Sequence, residues 1–119
     1  MMATPTVGAV LADLKNRVGA IATALVLRNG AVVHAEMPEG SYADTFAVMC
    51  ATVLGAAATA SVEVGRALPE RIVVEGRDSR LILVAAGSKA LLVAAVDASA
   101  DLRTIVDDLA KFAHLLETR

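Results

Sequence analysis

The chain has 119 residues, enough for one domain that buries roughly two thirds of its unfolded surface. A formal net charge of −2 argues against electrostatic attraction to nucleic acid or to an acidic membrane. Hydrophobic residues make up 56% of the chain, a high share for a soluble domain of this size. We therefore expect the chain either to enter a membrane or to bury more surface than one copy can cover.

The first predicted element is a helix near the N-terminus. Thr4 and Pro5 form a favourable opening, a hydroxyl N-cap followed by proline at the first helical position. Apolar residues then follow helical spacing from Val7 to Val18, and Gly19 supplies the stop. The pattern predicts a helix that lays a single apolar stripe on the rest of the domain.

Two short strands are predicted next, between Ala22 and Glu36. They flank Asn29 and Gly30, a pair typical of a type I′ turn, in which both central residues have positive φ. The breaker residues 37–40 then end the hairpin.

The segment from Ser41 to Arg66 is the unusual one, because no charged residue occurs between Thr45 and Val62. A membrane span is one interpretation of so long an uncharged run. However, the run is rich in Ala, Thr, Gly and Ser rather than Leu and Phe, so its insertion free energy is weak, and elements typical of a soluble fold flank it. We interpret it as a helix that is buried on nearly all sides.

The faces of this second helix differ in side-chain size. One broad stripe, large enough to cover a sheet, consists of Phe46, Met49, Cys50, Val53, Ala57, Ala60 and Val64. The other faces carry mostly small residues, namely Ala47, Ala51, Thr52, Gly55, Ala58, Thr59 and Val62. A glycine in mid-helix costs about 1 kcal/mol relative to alanine, so something should compensate for it. A second copy of the same helix, packed across a two-fold axis, would do so.

Three further strands are predicted over residues 71–75, 81–86 and 90–96. The last two are apolar on both faces, so helices must cover the sheet on each side, as in a three-layer domain. A third helix is predicted to follow Ser99 as its N-cap, with an apolar stripe that runs from Leu102 to Leu116.

Residue constellations typical of catalysis or cofactor binding do not occur in the sequence. Gly87-Ser88-Lys89 lacks the preceding glycine of a phosphate-binding loop, and the two histidines, His34 and His114, belong to different predicted elements. We therefore expect no catalytic, cofactor or metal site and no enzymatic activity. The single Cys50 and an N-terminus without the features of a secretion signal predict a cytoplasmic location.

The order α-β-β-α-β-β-β-α, with a long Ala-rich central helix, resembles the roadblock/dynein light chain family. The stretches that carry the resemblance are "LVLRNGAVV" (25–33), "FAVMCATVLGAAATASVEVGR" (46–66), "PERIVVEGRDSRLILVAAG" (69–87) and "KALLVAAV" (89–96). The resemblance implies a single roadblock-type domain over residues 1–119, an α/β (α+β) domain with a profilin-like three-layer α-β-α architecture. Its five-stranded antiparallel sheet would carry the long second helix on one face and the terminal helices on the other.

The resemblance also implies a homodimer in which second helices pack together and third strands pair edge to edge. The predicted dimer interface comprises Ala51, Thr52, Gly55, Ala58, Thr59 and Val62 of the helix, with Arg71, Val73 and Glu75 of the strand. Family members lack catalytic residues and act as platforms or regulators for Ras-like GTPases, or as adaptor subunits in motor and signalling complexes.

The leading prediction is thus a non-catalytic dimeric adaptor or regulator of a Ras-like small GTPase, which is contacted around Tyr42 and Asp44 at the start of the second helix. One alternative is a structural subunit that pairs with a paralogue or joins a larger assembly without acting on a GTPase. Another is a small-molecule-binding or enzymatic domain on a profilin-like scaffold. Fold alone does not decide among these three functions.

Overall fold

The structure, a computed structural model, describes residues 6–117. The predicted order of elements is confirmed. In chain order they are α1 (Val7–Val18), β1 (Ala22–Leu27), β2 (Val32–Glu36), α2 (Ala43–Glu63), β3 (Arg71–Glu75), β4 (Ser79–Ala86), β5 (Ala90–Asp97) and α3 (Leu102–Glu117).

The five strands form one antiparallel sheet, as predicted, and their order in the sheet is β2-β1-β5-β4-β3. The last strand of the chain, β5, therefore lies at the centre, between β1 and β4. This position explains why β5 is apolar on both faces, since Leu91, Leu92, Val93 and Ala94 are all buried. The two edges of the sheet are β2 and β3.

Two hydrophobic cores lie on opposite faces of the sheet, and strand alternation sorts residues between them. Ile82 of β4 belongs to the core under α1 and α3, whereas its neighbour Leu83 belongs to the core under α2. The first core includes Leu11 of α1 and Leu109 of α3, and the second includes Cys50 of α2. The predicted three-layer arrangement, with α2 on one face and the terminal helices on the other, is confirmed.

Helix α1 begins at Val7. Its N-cap is Thr6, whose hydroxyl accepts a hydrogen bond from the amide of Ala9 at 3.1 Å. The predicted opening at residues 4–5 lies outside the described residues. Gly19 ends the helix in the left-handed conformation, with φ of 63°, as its position after the last apolar residue predicted.

The prediction of a type I′ turn between β1 and β2 is wrong. Gly30 has a positive φ of 94°, but no described residue other than glycine does, so Asn29 does not adopt the conformation that type I′ requires. The amide of Gly30 donates to the carbonyl of Leu27, and the amide of Leu27 donates to the carbonyl of Ala31, both at 2.8 Å. The hairpin is therefore closed by a three-residue loop, in which Asn29 Oδ1 accepts from the amide of Ala31 at 3.0 Å.

The predicted N-cap of α3 is also wrong. The residue immediately before the helix is Asp101, whose carbonyl accepts from the amide of Ile105 and whose carboxylate accepts from the hydroxyl of Thr104. Ser99 instead donates its hydroxyl and its amide to the carboxylate of Asp97, at 2.6 and 2.9 Å. These two bonds, the side-chain one foremost, lower the pKa of Asp97.

Candidate interaction surface

Helix α2 packs on the sheet through one side only. Ala47, Cys50 and Leu54 are its buried residues, and only 11% of its most apolar 18-residue stretch is buried. The prediction of burial on nearly all sides is therefore wrong for a single chain. Among residues 6–117, α2 is the one helix whose length and composition alone would suffice to cross a membrane. The outward face of α2 is therefore both uncharged and exposed in the described protomer, which is unusual for a helix of a soluble protein.

The predicted sheet-facing stripe of α2 is partly wrong. Met49 is 54% exposed, whereas Ala47, predicted on the opposite face, is fully buried. Ala47 lies in the core cluster that contains Ala24 and Val26 of β1, where a small side chain lets helix and strand approach closely. Val64, also predicted to face the sheet, lies beyond the last helical residue and is 72% exposed.

The predicted dimer residues of α2 do come together on the outward face. Thr52, Gly55, Thr59 and Val62 are exposed, and Ala51 and Ala58 are half-buried along one flank of this face. An ideal Cβ built at Gly55 meets nothing within 4 Å, so no group of residues 6–117 occupies the space above it. Along the middle of the face the spacing alternates between four and three residues, as in a coiled-coil seam, over Val48, Thr52, Gly55, Thr59 and Val62.

In the part of the chain that the structure describes, strand β3 adds an unpaired sheet edge to this surface. It pairs with β4 on one side only. Ile72 packs against the core under α2, and Val74, on the same face of the strand, is exposed. Val73 packs on the opposite face, against the core under α1 and α3. The side chains of Arg71 and Glu75 share the face of Val73, so the three predicted interface residues of β3 line one edge.

The predicted partner-binding residues lie at the start of α2. Tyr42 is the N-cap, makes no side-chain cap hydrogen bond and is 81% exposed. Asp44 lies in the first turn, where a carboxylate interacts favourably with the helix dipole. A shallow groove of about 270 Å³ runs between Asp44, Thr45, Val48 and Met49. The structure therefore brings Asp44 beside Met49, a residue predicted to face the sheet.

The histidines are paired locally. His34 Nε2 lies 2.6 Å from a carboxylate oxygen of Glu36, and His114 Nδ1 lies 3.1 Å from one of Glu117. Within residues 6–117, no three His, Cys, Asp or Glu side chains are grouped closely enough to hold a metal ion. Each histidine of the described chain thus contacts one carboxylate rather than a set of metal ligands.

Cys50 should be inert in the folded protein. It is 1% exposed, and desolvation by burial raises the pKa of its thiol from 9.0 to about 11. We expect no alkylation by iodoacetamide at about pH 8 in buffer and complete alkylation in denaturant, as measured by mass spectrometry. Alkylation of the folded protein within minutes would contradict this burial.

The same shift predicts the sign of a pH effect on stability. Folding raises the thiol pKa, so the unfolded chain loses its proton at a lower pH than the folded chain. Cys50 therefore has no effect on the pH dependence of stability below its unfolded pKa of 9.0, and it lowers the free energy of unfolding as the pH rises from there towards about 11. Urea titrations of the native chain and of Cys50→Ala over this range should differ in slope against pH.

Comparisons with known proteins agree with this architecture. A sequence profile of the Roadblock/LC7 domain matches residues 6–95. The uncharacterized protein MJ0310 of Methanocaldococcus jannaschii is 28% identical over 96 residues, which are 81% of this chain and 83% of that protein.

Solved structures resemble the chain as well. MglB in a tetrameric arrangement is 26% identical, with a TM-score of 0.84 over 92% of this chain and 83% of that one. The gliding protein MglB from Thermus thermophilus is 25% identical, with a TM-score of 0.81 over 92% and 84% of the two chains. A profilin of Schizosaccharomyces pombe, 17% identical with a TM-score of 0.69 over 93% and 96% of the two chains, shares the fold alone. Because the Roadblock/LC7 profile matches most of the length of this chain, the chain belongs to the Roadblock/LC7 domain family.

Proposed function

We propose that this protein is a dimeric, non-catalytic adaptor or regulator of a Ras-like small GTPase in the cytoplasm. The observation that carries the proposal is the outward face of α2, a long uncharged surface that the protomer leaves open. The association of roadblock domains with Ras-like GTPases, which the family resemblance implies, supplies the class of partner.

The exposed apolar residues support self-association. Five apolar residues are exposed along α2, the loop after it and β3. They are Val48 and Val62 of α2, Val64 and Leu68 of the loop, and Val74 of β3. Val62 and Leu68 line one groove, and exposed apolar residues that lie together mark an interaction site on a soluble protein. Covering these residues with a second chain removes their apolar area from water, which stabilises the pair.

The seam of α2 is suited to antiparallel pairing with its own copy. An antiparallel pair centred on Gly55 places Val48 opposite Val62 of the partner subunit, and places Thr52 within one residue's rise, about 1.5 Å, of the level of Thr59 of the partner subunit. The larger side chains then meet at both ends, while the two backbones approach most closely at Gly55, where no side chain intervenes. The close approach compensates for the helix propensity that glycine loses.

Light scattering in detergent-free buffer tests the dimer. We expect a particle of twice the 12.2 kDa chain mass at micromolar concentration. A monomer under these conditions would contradict the proposed dimer. A chain that remained in solution only with detergent would instead favour the membrane interpretation of α2.

The GTPase is tested by pull-down from native lysate, followed by calorimetry with the purified GTPase loaded with GDP or a GTP analogue. A regulator should bind the two forms with different affinity, because a ligand shifts a two-state switch only through differential affinity. Equal affinities would mean scaffolding without regulation. Recovery of structural subunits with no GTPase among them would favour the alternative, a structural subunit.

A further inference from the structure

The family resemblance implies that β3 pairs edge to edge with β3 of a second copy, and we propose the register of that pairing: it is centred on Val73, so that Arg71 of each copy lies opposite Glu75 of the other. This charge match selects a second copy of the same chain over a chain with a different β3. The inference rests on the proposed dimer and goes beyond it, because it names the strand register and the two residues that recognise self.

The main-chain groups that face outward from the sheet edge are those of the odd-numbered residues. The amide of Gly76 donates to the carbonyl of Ser79, and the carbonyl of Glu70 accepts from the amide of Ala85. Both bonds join even-numbered residues of the β3 segment to β4. Because successive residues of a strand point their N–H and C=O groups to opposite sides, those of Arg71 and its odd-numbered neighbours point away from the sheet. These groups are available to a second strand.

The symmetry of a dimer restricts the register. In an antiparallel pair, directly opposite residues place their side chains on the same face of the sheet. A two-fold axis normal to the sheet keeps both α2 helices on one face, so each residue lies opposite itself or opposite a residue an even number of positions away. The pairing must therefore be centred on a residue of β3. Centring on Arg71 or Glu75 would align only that residue, with its own like charge opposite it, which leaves Ile72, Val73 and Val74 as centres.

Charge decides among these three registers. Centring on Val73 aligns all 5 residues of β3 and places Arg71 opposite Glu75 of the partner subunit twice, once on each side of the axis. Centring on Ile72 leaves Arg71 opposite a valine and Glu75 opposite Pro69, which has no amide hydrogen to donate. Centring on Val74 leaves Glu75 opposite a valine. Opposite charges that face each other across strands are favourable, and like charges are unfavourable.

Glu75 is placed to accept a second cation. One of its carboxylate oxygens lies 3.3 Å from Nε of Arg80, within ion-pair distance but without hydrogen-bond alignment. Arg80 is held by its Nη1, which donates to the carbonyl of Ala100 at 3.0 Å. The side chain of Glu75 remains 63% exposed, so its carboxylate can contact Arg71 of a partner subunit without losing Arg80.

The other sheet edge is protected in a way that β3 is not. The pairing of β1 with β2 skips Val33, which is a bulge, and bulges hinder the addition of a further strand. Strand β3 pairs with β4 in an unbroken register from Arg71 to Glu75. The regular geometry of the β3 edge therefore favours strand addition there rather than at β2.

The experiment is a charge-complementation test by light scattering and native mass spectrometry. Arg71→Glu gives a chain with glutamate at both positions, and Glu75→Arg gives a chain with arginine at both. Each variant alone places like charges opposite each other, and we expect its dimer dissociation constant to rise about tenfold. A 1:1 mixture places opposite charges together at both positions, and we expect heterodimers with the affinity of the unmodified protein.

Lys15→Glu and Asp13→Arg are the matched controls, since both residues lie on α1, which packs against β1 and β2 at the other end of the sheet from β3, and the variants change net charge by the same amounts. Each control alone should dimerise like the unmodified protein, and their mixture should show no preference for heterodimers. If the unmodified protein is a dimer but the edge variants mix no better than the controls, the register is wrong and the proposed dimer stands. If the unmodified protein is a monomer, the proposed function itself fails.

A cross-link checks the register independently. Only the pairing centred on Val73 places that residue opposite itself, with Cα atoms about 5.5 Å apart, within disulfide range. In the same register Val74 lies about 8 Å from its own copy, which is beyond that range. Val73→Cys should therefore form a disulfide-linked dimer under mild oxidation and Val74→Cys should not. The reverse result would overturn the register.

Discussion

Replacing Gly55 with leucine should separate the dimer into folded monomers. Within the protomer the substitution is harmless, because the space above Gly55 is open and leucine has the higher helix propensity, by about 1 kcal/mol. In the dimer the two added side chains meet at the point of closest backbone approach. Overpacking of about 1–3 kcal/mol for each side chain raises the dissociation constant at least about thirtyfold.

Two variants separate an interface effect from a general one. Gly55→Ala adds a single methyl group and should weaken the dimer less than leucine does, while its higher helix propensity stabilises the protomer. Ala110→Leu makes the same kind of change at an exposed position of α3 and should leave the mass unchanged. Light scattering over a dilution series gives the dissociation constants. An unchanged constant for Gly55→Leu would show that α2 does not form the interface.

The charge pattern of each helix decides whether its core-facing side can be predicted from the sequence. Helices α1 and α3 alternate apolar and charged residues, so the sequence shows which side faces the core, and Leu11, Leu14 and Leu109 are buried as their spacing predicted. Helix α2 has no charged residue between Thr45 and Val62, so its sequence indicates its length but not its rotation. For this reason the predicted rotation of α2 about its axis is wrong, and Ala47 faces the sheet where Met49 was predicted to.

The errors at turns and caps had a different origin. Type I′ was predicted from an Asn-Gly pair, but the Asn29 side chain bonds the amide of Ala31 and the loop takes three residues. Ser99 was predicted as an N-cap because hydroxyl side chains are common at that position, but its hydroxyl donates to the carboxylate of Asp97 instead. Local hydrogen bonds of similar energy compete at such positions, and sequence patterns alone rarely decide between them.

The candidate surface was only partly predictable. Its helix residues could be found because a long uncharged run with a central glycine is unusual in a soluble helix. Whether Tyr42 packs in the core or faces solvent could not be predicted, since it lies at the boundary of α2 and either placement fits the pattern. Its 81% exposure depends on how the preceding loop leaves the sheet, which is a property of the tertiary structure.

The second large effect is expected at this start of α2. Tyr42→Ala removes an exposed aromatic anchor, and Met49→Asp places a charge beside Asp44 in an apolar groove. If the GTPase binds here, loss of an anchor of about 2 kcal/mol should weaken its binding about thirtyfold for each variant. Calorimetry against the GTPase recovered from lysate, loaded with the nucleotide it binds better, gives the affinity.

Dimer mass is the internal control for these variants. Tyr42 and Met49 lie outside the seam centred on Gly55, so both variants should remain dimeric, whereas Gly55→Leu should lose the dimer. Ile21→Ala truncates an exposed apolar residue that lies before β1, and it should bind the GTPase normally. Full GTPase affinity in both Tyr42→Ala and Met49→Asp would exclude this end of α2 as the contact. A dimer carries two copies of the start of α2, one from each chain. If Gly55→Leu gives a folded monomer in which Tyr42 stays exposed, and this monomer no longer binds the GTPase, then the GTPase requires both chains at once.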